Sequence, residues 1–438
     1  MDYQAALDYI LSFADYERLS RSALVFDLRR VDMLLSRLGN PQSAARSVHI
    51  AGTKGKGSTA AMVASILTRA GYSTGLYTSP HLLSFTERIQ VDGWPVAEDV
   101  FAWLTEALKP EVEAVNRDGT FGELTTFELL TALAFTYFRE RGVAYQVLET
   151  GLGGRLDATN VVQPEVCVIT SISYDHMDVL GDTLTQIAAE KAGIIKLGST
   201  VVCAPQFPEA MGVIEKACRE RRARLVRVDN RSWQRQAFSL EGQSFQLSGL
   251  TRDYSLSVPL LGEYQLENAA IAVAAVEVLV EQGAEVSPES IAAGLAQVHW
   301  PGRLQVLRRQ PWVIVDGAHN AYSAKRLGEA LKYYFDFNRV VLIFGASSDK
   351  DVSGMVAELA AFAGEVVVTG SRHPRALDTT VLVTEFSKWE ITPRVAGNVA
   401  SAVELALAEA EPGDLICATG SMFIIAEVME CLGEADQP

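Results

Sequence analysis

Cysteine is scarce in this 438-residue chain, and the five present (Cys167, Cys203, Cys218, Cys417 and Cys431) form no C-x-x-C pair. A structural zinc site needs such pairs, and a disulfide framework needs a clustered, even set. Neither is indicated, and a reducing compartment is expected. Positive charge is also short. The formal net charge is -16, the wrong sign for a surface that neutralises nucleic-acid phosphates or anionic lipid. No apolar run is long enough to span a bilayer, so no membrane partner is expected. The first residues carry Asp2, Asp8, Asp15 and Glu17 where a signal peptide would have a basic start and an apolar block. A cytoplasmic location is the expectation. Repeats and low-complexity segments are missing too.

What is present is material for a large core. The chain is 48% hydrophobic and 21% charged, as in a soluble globular protein of two or three domains. Short β-branched runs alternate with helix-period segments. Val48–Ile50, Val143–Leu148, Val166–Thr170 and Thr200–Cys203 read as buried strands. After Ser58, residues Val63, Ile66, Leu67 and Ala70 recur at helical spacing, and Gly71 supplies the stop. A second series begins near Trp300, with strands at Val313–Asp316, Val340–Phe344, Val366–Val368 and Leu415–Ala418. This rhythm predicts an α/β protein: a P-loop-type, mostly parallel sheet domain over 1–297, then a smaller Rossmann-like α/β domain over 298–438. Pro301-Gly302 marks a hinge or a plain turn. Arginines and polar strands between about Arg219 and Pro259 suggest a β-rich excursion.

The segment Gly52-Thr53-Lys54-Gly55-Lys56-Gly57-Ser58-Thr59 follows a strand and opens a helix. Its glycines let the backbone turn tightly and aim N–H groups inward. The helix N-terminus adds positive partial charge, Lys56 can reach a β/γ-phosphate, and Ser58 or Thr59 could serve a magnesium ion. A flexible Gly-Lys turn is the bland alternative. The strict P-loop pattern fails twice, with Ile50 where a glycine belongs and Gly57 where Ser or Thr should follow the lysine, which weighs against a kinase or GTPase. Gly151-Leu152-Gly153-Gly154 resembles a dinucleotide fingerprint, but Leu156 stands where its last glycine should be, so a nicotinamide-dependent oxidoreductase is poorly supported.

That loop, with its extra glycine, resembles the variant P-loop of the Mur ligase superfamily in its folate branch, the dihydrofolate and folylpolyglutamate synthases. Four further segments agree in order and spacing: Thr78-Ser79-Pro80-His81-Leu82; Glu149–Asn160; Ser171–Asp182 with Glu190-Lys191-Ala192-Gly193; and Val315-Asp316-Gly317-Ala318-His319-Asn320. The resemblance covers most of the chain and implies ATP-dependent joining of L-glutamate to dihydropteroate or to folate polyglutamates through an acyl phosphate. It also implies two magnesium ions, leaves potassium open, and suggests a monomer. A cell-wall precursor ligase of the same superfamily and a non-ligase P-loop switch are the alternatives.

By that resemblance, Gly52–Ser58 would hold ATP phosphates, with Lys56 acting in catalysis, and Ser79, Glu149 and His176 would hold magnesium. On residue chemistry alone, Glu149 could be a salt-bridged surface carboxylate, His176 a satisfied structural histidine, and Ser79 a turn cap. Lys191 would carry a carbamate, as its small and apolar neighbours suit a buried lysine, and Lys196 would be the ordinary surface residue of the pair. Asn268 would read the adenine edge, or else cap the Ala-rich helix that follows it. Arg303 would reach the phosphates from the second domain and Asp316 would bind ribose. His319 would lie near the incoming glutamate or nucleotide, with Ser421 and Ser347–Asp351 as weaker candidates for the glutamate pocket. The segment Asp316–Asn320 is otherwise a polar turn. Thr125, Leu156, Asp157 and Ala158, with Val25 and Phe26, would contact the pterin. Thr125 and Glu128 also fit a capping box, and both readings can hold together.

Overall fold

Val48, Ile50, Val147, Val168 and Val202 have no solvent exposure, as expected of parallel strands covered by helices on both faces. They sit in an eight-stranded sheet of β1 (Arg46–Ala51), β2 (Thr74–Tyr77), β3 (Ile89–Val91), β4 (Trp94–Pro95), β5 (Tyr145–Glu149), β6 (Val166–Ile169), β7 (Thr200–Cys203) and β8 (Arg224–Arg227). The computed structural model describes residues 1–15 and 26–433. The strand order is β4-β3-β2-β5-β1-β6-β7-β8. Strands from β2 through β8 in that order run parallel, while β3 and β4 form an antiparallel edge. The chain leaves β1 toward β2 and β5 on one side, then passes to β6 on the other. The central strand β1 is therefore a switch point, and ligands collect at the carboxyl ends of strands beside it.

Local chemistry starts and stops the flanking helices. Thr126–Arg141 opens with a capping box: the Thr125 hydroxyl accepts from the Glu128 N–H at 3.3 Å, and the Glu128 carboxylate accepts from the Thr125 N–H at 2.8 Å. It closes on Gly142, whose φ of +63° suits a residue without a β-carbon. The helix Glu263–Glu281 is buried on nearly every side, which its Ala- and Val-rich sequence allows.

The excursion after β8 is β-rich, as its composition suggested. Strands β9 (Trp233–Ser239), β10 (Gly242–Ser248) and β11 (Asp253–Val258) form a sheet in the order β11-β10-β9. Along β11, Tyr254, Leu256 and Val258 are buried and alternate with exposed residues, the pattern of a one-sided sheet.

The second sheet series comprises β12 (Gln305–Arg309), β13 (Trp312–Val315), β14 (Val340–Phe344), β15 (Ala363–Val368), β16 (Arg394–Val395) and β17 (Leu415–Thr419), in the order β12-β13-β17-β14-β15-β16. Only β12 is antiparallel to its neighbour. The expected fold class, two α/β sheets of mainly parallel strands, is the one adopted. Two compact units result: Met1–Ala237, Ser244–Pro259 and Tyr264–His299 in the first, and Phe238–Gln243, Leu260–Glu263 and the chain from Trp300 onward in the second. The two short segments were not anticipated. Gln243 explains why they belong there: its amide donates to the Leu260 and Gly262 carbonyls at 2.8 and 2.9 Å, and its carbonyl accepts from the Tyr334 hydroxyl at 2.7 Å. Among the described residues, no helix is long and apolar enough to cross a membrane.

Candidate active site

At the carboxyl end of β1, the chain turns through Gly52 and Gly55 before the helix Lys56–Arg69. A β-carbon on Gly52 would fall 1.8 Å from the Thr170 hydroxyl oxygen, and one on Gly55 would fall 2.1 Å from Asn268 Oδ1. Only glycine fits at either position. The loop is stitched to the segment after β6: Ser171 O accepts from the N–H groups of Thr53 and Lys54 at 2.9 and 3.1 Å, and the Thr53 hydroxyl exchanges bonds with the Ser173 backbone. Gly55 occupies the N-cap with φ +84° and offers no side chain, so among the described residues this N-cap makes no side-chain bond to the first turn. An anion can take its N–H groups. Ser58 and Thr59, the alternative magnesium contacts, are both buried in that first turn.

Charges gather around the loop. Lys191, in the last turn of the helix Leu184–Ala192, donates from Nζ to the Gly52 carbonyl at 2.7 Å. Burial, reinforced by the cations Lys56 and Lys54, brings its pKa down to about 7, against the opposing pull of Asp175 and Asp157. Lys54 pairs with Asp175 at 2.9 Å. Lys56 lies 3.7 Å from Glu149 Oε1 at the end of β5, and Glu149 Oε2 accepts from the Ser79 N–H at 3.2 Å. Ser79 follows β2 and precedes a cis proline. His176 enters from the other side, through Asp175: its N–H donates to Asp175 Oδ1 at 3.0 Å, which holds it at φ +51°.

Lys196 differs from expectation. It is half-buried, its Nζ donates to the Asn160 carbonyl at 2.8 Å, and burial lowers its pKa. The two turns after the helix tuck it beneath the Glu149–Asn160 loop instead of into solvent.

Asp157 organises that loop. Its carboxylate accepts from the Leu152 N–H at 2.9 Å, the Thr159 N–H at 3.0 Å and the Thr159 hydroxyl at 2.5 Å. Ala158 is buried and Leu156 half-buried beside it. A β-carbon on Gly151 would lie 2.6 Å from Phe127, so this half-buried ring covers the loop. Phe127 was not among the residues singled out from the sequence. Its signal was a position two places after Thr125, on the first turn of a capped helix. Thr125 itself is buried and occupied in the capping box. Phe26 is half-buried, and Val25 lies outside the described residues.

Asn268 does not cap its helix. It is the sixth residue of Glu263–Glu281, is buried, donates to Gln265 Oε1 at 3.0 Å, and packs on Gly55. Its side chain backs the glycine-lined turn at Gly55.

In the second unit, the candidates sit at the carboxyl ends of β13 and β17. Asp316 spends both carboxylate oxygens on its own backbone, accepting from Leu304 N at 2.8 Å and Ala318 N at 2.9 Å. Arg303 donates to the Gly302 carbonyl at 3.0 Å and meets Met422 Sδ at 2.9 Å. His319 Nδ1 lies 2.7 Å from the Gly317 carbonyl, an acceptor only, so Nδ1 carries the proton. Ser421 caps the helix Met422–Leu432 by accepting from Ile424 N at 3.2 Å. Thr419 Oγ1 donates to the Asp316 carbonyl at 2.8 Å and ties the two strand ends together.

Known proteins resemble this chain along most of its length. Residues 50–276 match the Mur ligase middle domain, and residues 302–422 match the Mur ligase glutamate ligase domain. A dihydrofolate synthase/folylpolyglutamate synthase of Bacillus subtilis is 36% identical over 414 residues, 92% of this chain and 94% of that protein. The chain belongs to the folate branch of the Mur ligases. A Mycobacterium tuberculosis folylpolyglutamate synthase complexed with ADP superposes with a TM-score of 0.91 at 35% identity, with both chains fully covered. An Escherichia coli relative in complex with DHPP and ADP gives 0.85 at 32% identity, covering 99% of this chain and 98% of that one.

In this Mur ligase, the folded first unit brings Lys56, Glu149 and Ser79 together, and Lys191 and Lys54 with the loop beside them. Asp157 and Phe127 flank Gly151 on the neighbouring loop. Among the described residues no group of three or more His, Cys, Asp and Glu could hold a metal ion by itself. Glu149 supplies hard carboxylate oxygens at this place, which suit magnesium, an ion that keeps several waters and takes substrate phosphates as ligands.

Proposed function

We propose that the chain is an ATP-dependent ligase of folate metabolism that joins the amine of L-glutamate to the carboxylate of dihydropteroate, of a folate polyglutamate, or of both. The observation that carries this reading is the meeting of Lys56, Glu149 and the Ser79 N–H beside an uncapped helix N-terminus, at the switch point of a parallel sheet. A substrate carboxylate oxygen attacks the γ-phosphorus of ATP, and the bond to the β-phosphate oxygen breaks, releasing ADP. The glutamate amine then attacks the acyl carbon. The tetrahedral adduct loses phosphate and the amine loses a proton, leaving an amide. Two anions must meet in the first step, so cations decide its rate. Lys56 and the loop N–H groups draw charge off the phosphates as the bond to ADP lengthens, and Asn268 holds the Gly55 turn in place.

Ser79, Glu149 and His176 would hold magnesium, which screens the carboxylate from the triphosphate when bound. With a pKa of about 7, Lys191 presents a neutral amine to carbon dioxide near neutrality; forming the N–C bond releases a proton and leaves an anion beside the loop. The same reading includes a second magnesium ion near that carbamate, a monomer and a cytoplasmic location, and leaves potassium to be settled by titration. Leu156, Asp157, Ala158 and Phe127 would receive the pterin, a flat heterocycle with N–H donors that suits a carboxylate beside an aromatic face. Arg303, Asp316, His319 and Ser421 would contact nucleotide or glutamate. The test is ADP release with ATP, magnesium and glutamate, comparing dihydropteroate with tetrahydrofolate. Stimulation by either acid supports the assignment and tells which step the enzyme performs. No stimulation by either sinks it.

A further inference from the structure

A histidine in the middle of the central strand has no part in the chemistry above. His49 lies on β1 with its side chain fully buried, opposite Leu148 on β5 and Cys167 on β6. Its Nε2 is 2.8 Å from the Thr159 hydroxyl oxygen, and that oxygen is 2.5 Å from Asp157 Oδ1. The direction of this chain follows from valence. An ionised carboxylate only accepts, so the single hydroxyl proton of Thr159 goes to Asp157. The hydroxyl can then only accept from His49, whose Nε2 must carry the hydrogen.

We propose that His49 is a positioning residue for substrate recognition: through the Thr159 hydroxyl it orients Asp157, and with it the Gly151–Ala158 loop that receives the pterin. This rests on the assignment of Asp157 to the pterin pocket made above.

Three observations agree with it. Burial brings the His49 pKa down to about 3, so the ring stays neutral with one tautomer at physiological pH. Its Nδ1 is buried and has no hydrogen-bond partner among the described residues, a burden that an apolar side chain in a plain strand would not carry. The Nε2 bond is what the histidine supplies in return. Finally, burial pushes the Asp157 pKa up, while the Thr159 hydroxyl and the surrounding backbone N–H groups oppose it. A hydroxyl pinned by His49 cannot rotate away from that carboxylate. Asp157 is then held in one orientation across Leu152 and Thr159, and the loop it braces keeps one shape.

A double-mutant cycle tests it. His49→Leu is expected to raise the KM for dihydropteroate about tenfold, with the KM for ATP unchanged. His49→Gln, whose amide N–H falls near the Nε2 position, should restore most of the loss. Thr159→Val should reproduce the effect, and serves in place of His49→Leu should that variant fail to fold. On an Asp157→Ala background, His49→Leu should add nothing. An additive effect on that background, or an equal rise in both KM values, overturns the relay while leaving Asp157 in the pterin pocket. An Asp157→Ala variant with unchanged KM for dihydropteroate overturns the pocket assignment, and the relay with it.

Discussion

The Lys191 side-chain nitrogen lies 2.7 Å from the carbonyl oxygen of Gly52, fastening a buried lysine beneath the first glycine of the loop between β1 and its helix. Chemistry and stability both follow from this contact. Lys191→Ala should lower activity about 100-fold, with partial recovery on adding acetate as a stand-in for the carbamate. A fully active alanine variant would remove Lys191 from the mechanism. The folded-state pKa of about 7 lies below the ordinary lysine value of 10.5. Across that window the unfolded chain holds a proton that the folded chain lacks, so this group adds to stability as pH rises and penalises it fully below the window. Urea unfolding at about pH 6.5 and about pH 9 should therefore show a smaller rise for Lys191→Met than for the parent.

Gly55 and Gly71 both have positive φ, +84° and +91°, but only Gly55 has a neighbour where a β-carbon would go. Gly71→Ala should cost about 1–2 kcal/mol of stability and leave ADP binding unchanged. Gly55→Ala must also displace Asn268, and its ADP affinity should fall at least about tenfold. Calorimetric titration with ADP separates the two. Parental affinity in Gly55→Ala would mean that this turn does not cradle phosphate.

Glu149 sits between Lys56 and the Ser79 N–H. Glu149→Gln keeps the shape and removes the charge, so the half-saturating magnesium concentration should rise about tenfold. Activity measured against magnesium at saturating ATP checks this, and an unmoved curve argues against Glu149 as a ligand.

Asp316→Asn cannot accept from both the Leu304 and Ala318 N–H groups with one oxygen. Leu304 has φ +43° and depends on that brace. The variant should lose about 1–3 kcal/mol in denaturant unfolding, whatever it does to nucleotide binding. Unchanged stability would show that the brace is dispensable and leave Asp316 a ligand-binding role alone.

Part of the candidate site was legible from local pattern, while Ser79, Glu149, His176 and the candidates of the second unit rested on the family resemblance. The run Gly52–Ser58 placed a loop between strand and helix because glycine spacing, β-branched strand residues and helical periodicity are local properties. Lys191 was legible through its small, apolar neighbours, which imply burial. For Asn268 the capping alternative falls because the helix starts at Glu263, five residues earlier, and only packing against Gly55 shows where its side chain lies. Lys196 was misjudged because the Asn160 carbonyl that receives it is 36 residues away.

By itself, the amino-acid order determined the strand and helix alternation, the glycine-lined turn and the segments from which the site is drawn, since each depends on residues within a few places of one another. The folded chain decided which of them meet. Glu149 reaches Lys56 only because β5 is inserted beside β1, and His49 reaches Thr159 only because the loop after β5 returns over that strand. Sheet order rests on contacts between distant segments, whose joint burial has to outweigh the entropy of closing long loops, and no local pattern records that balance.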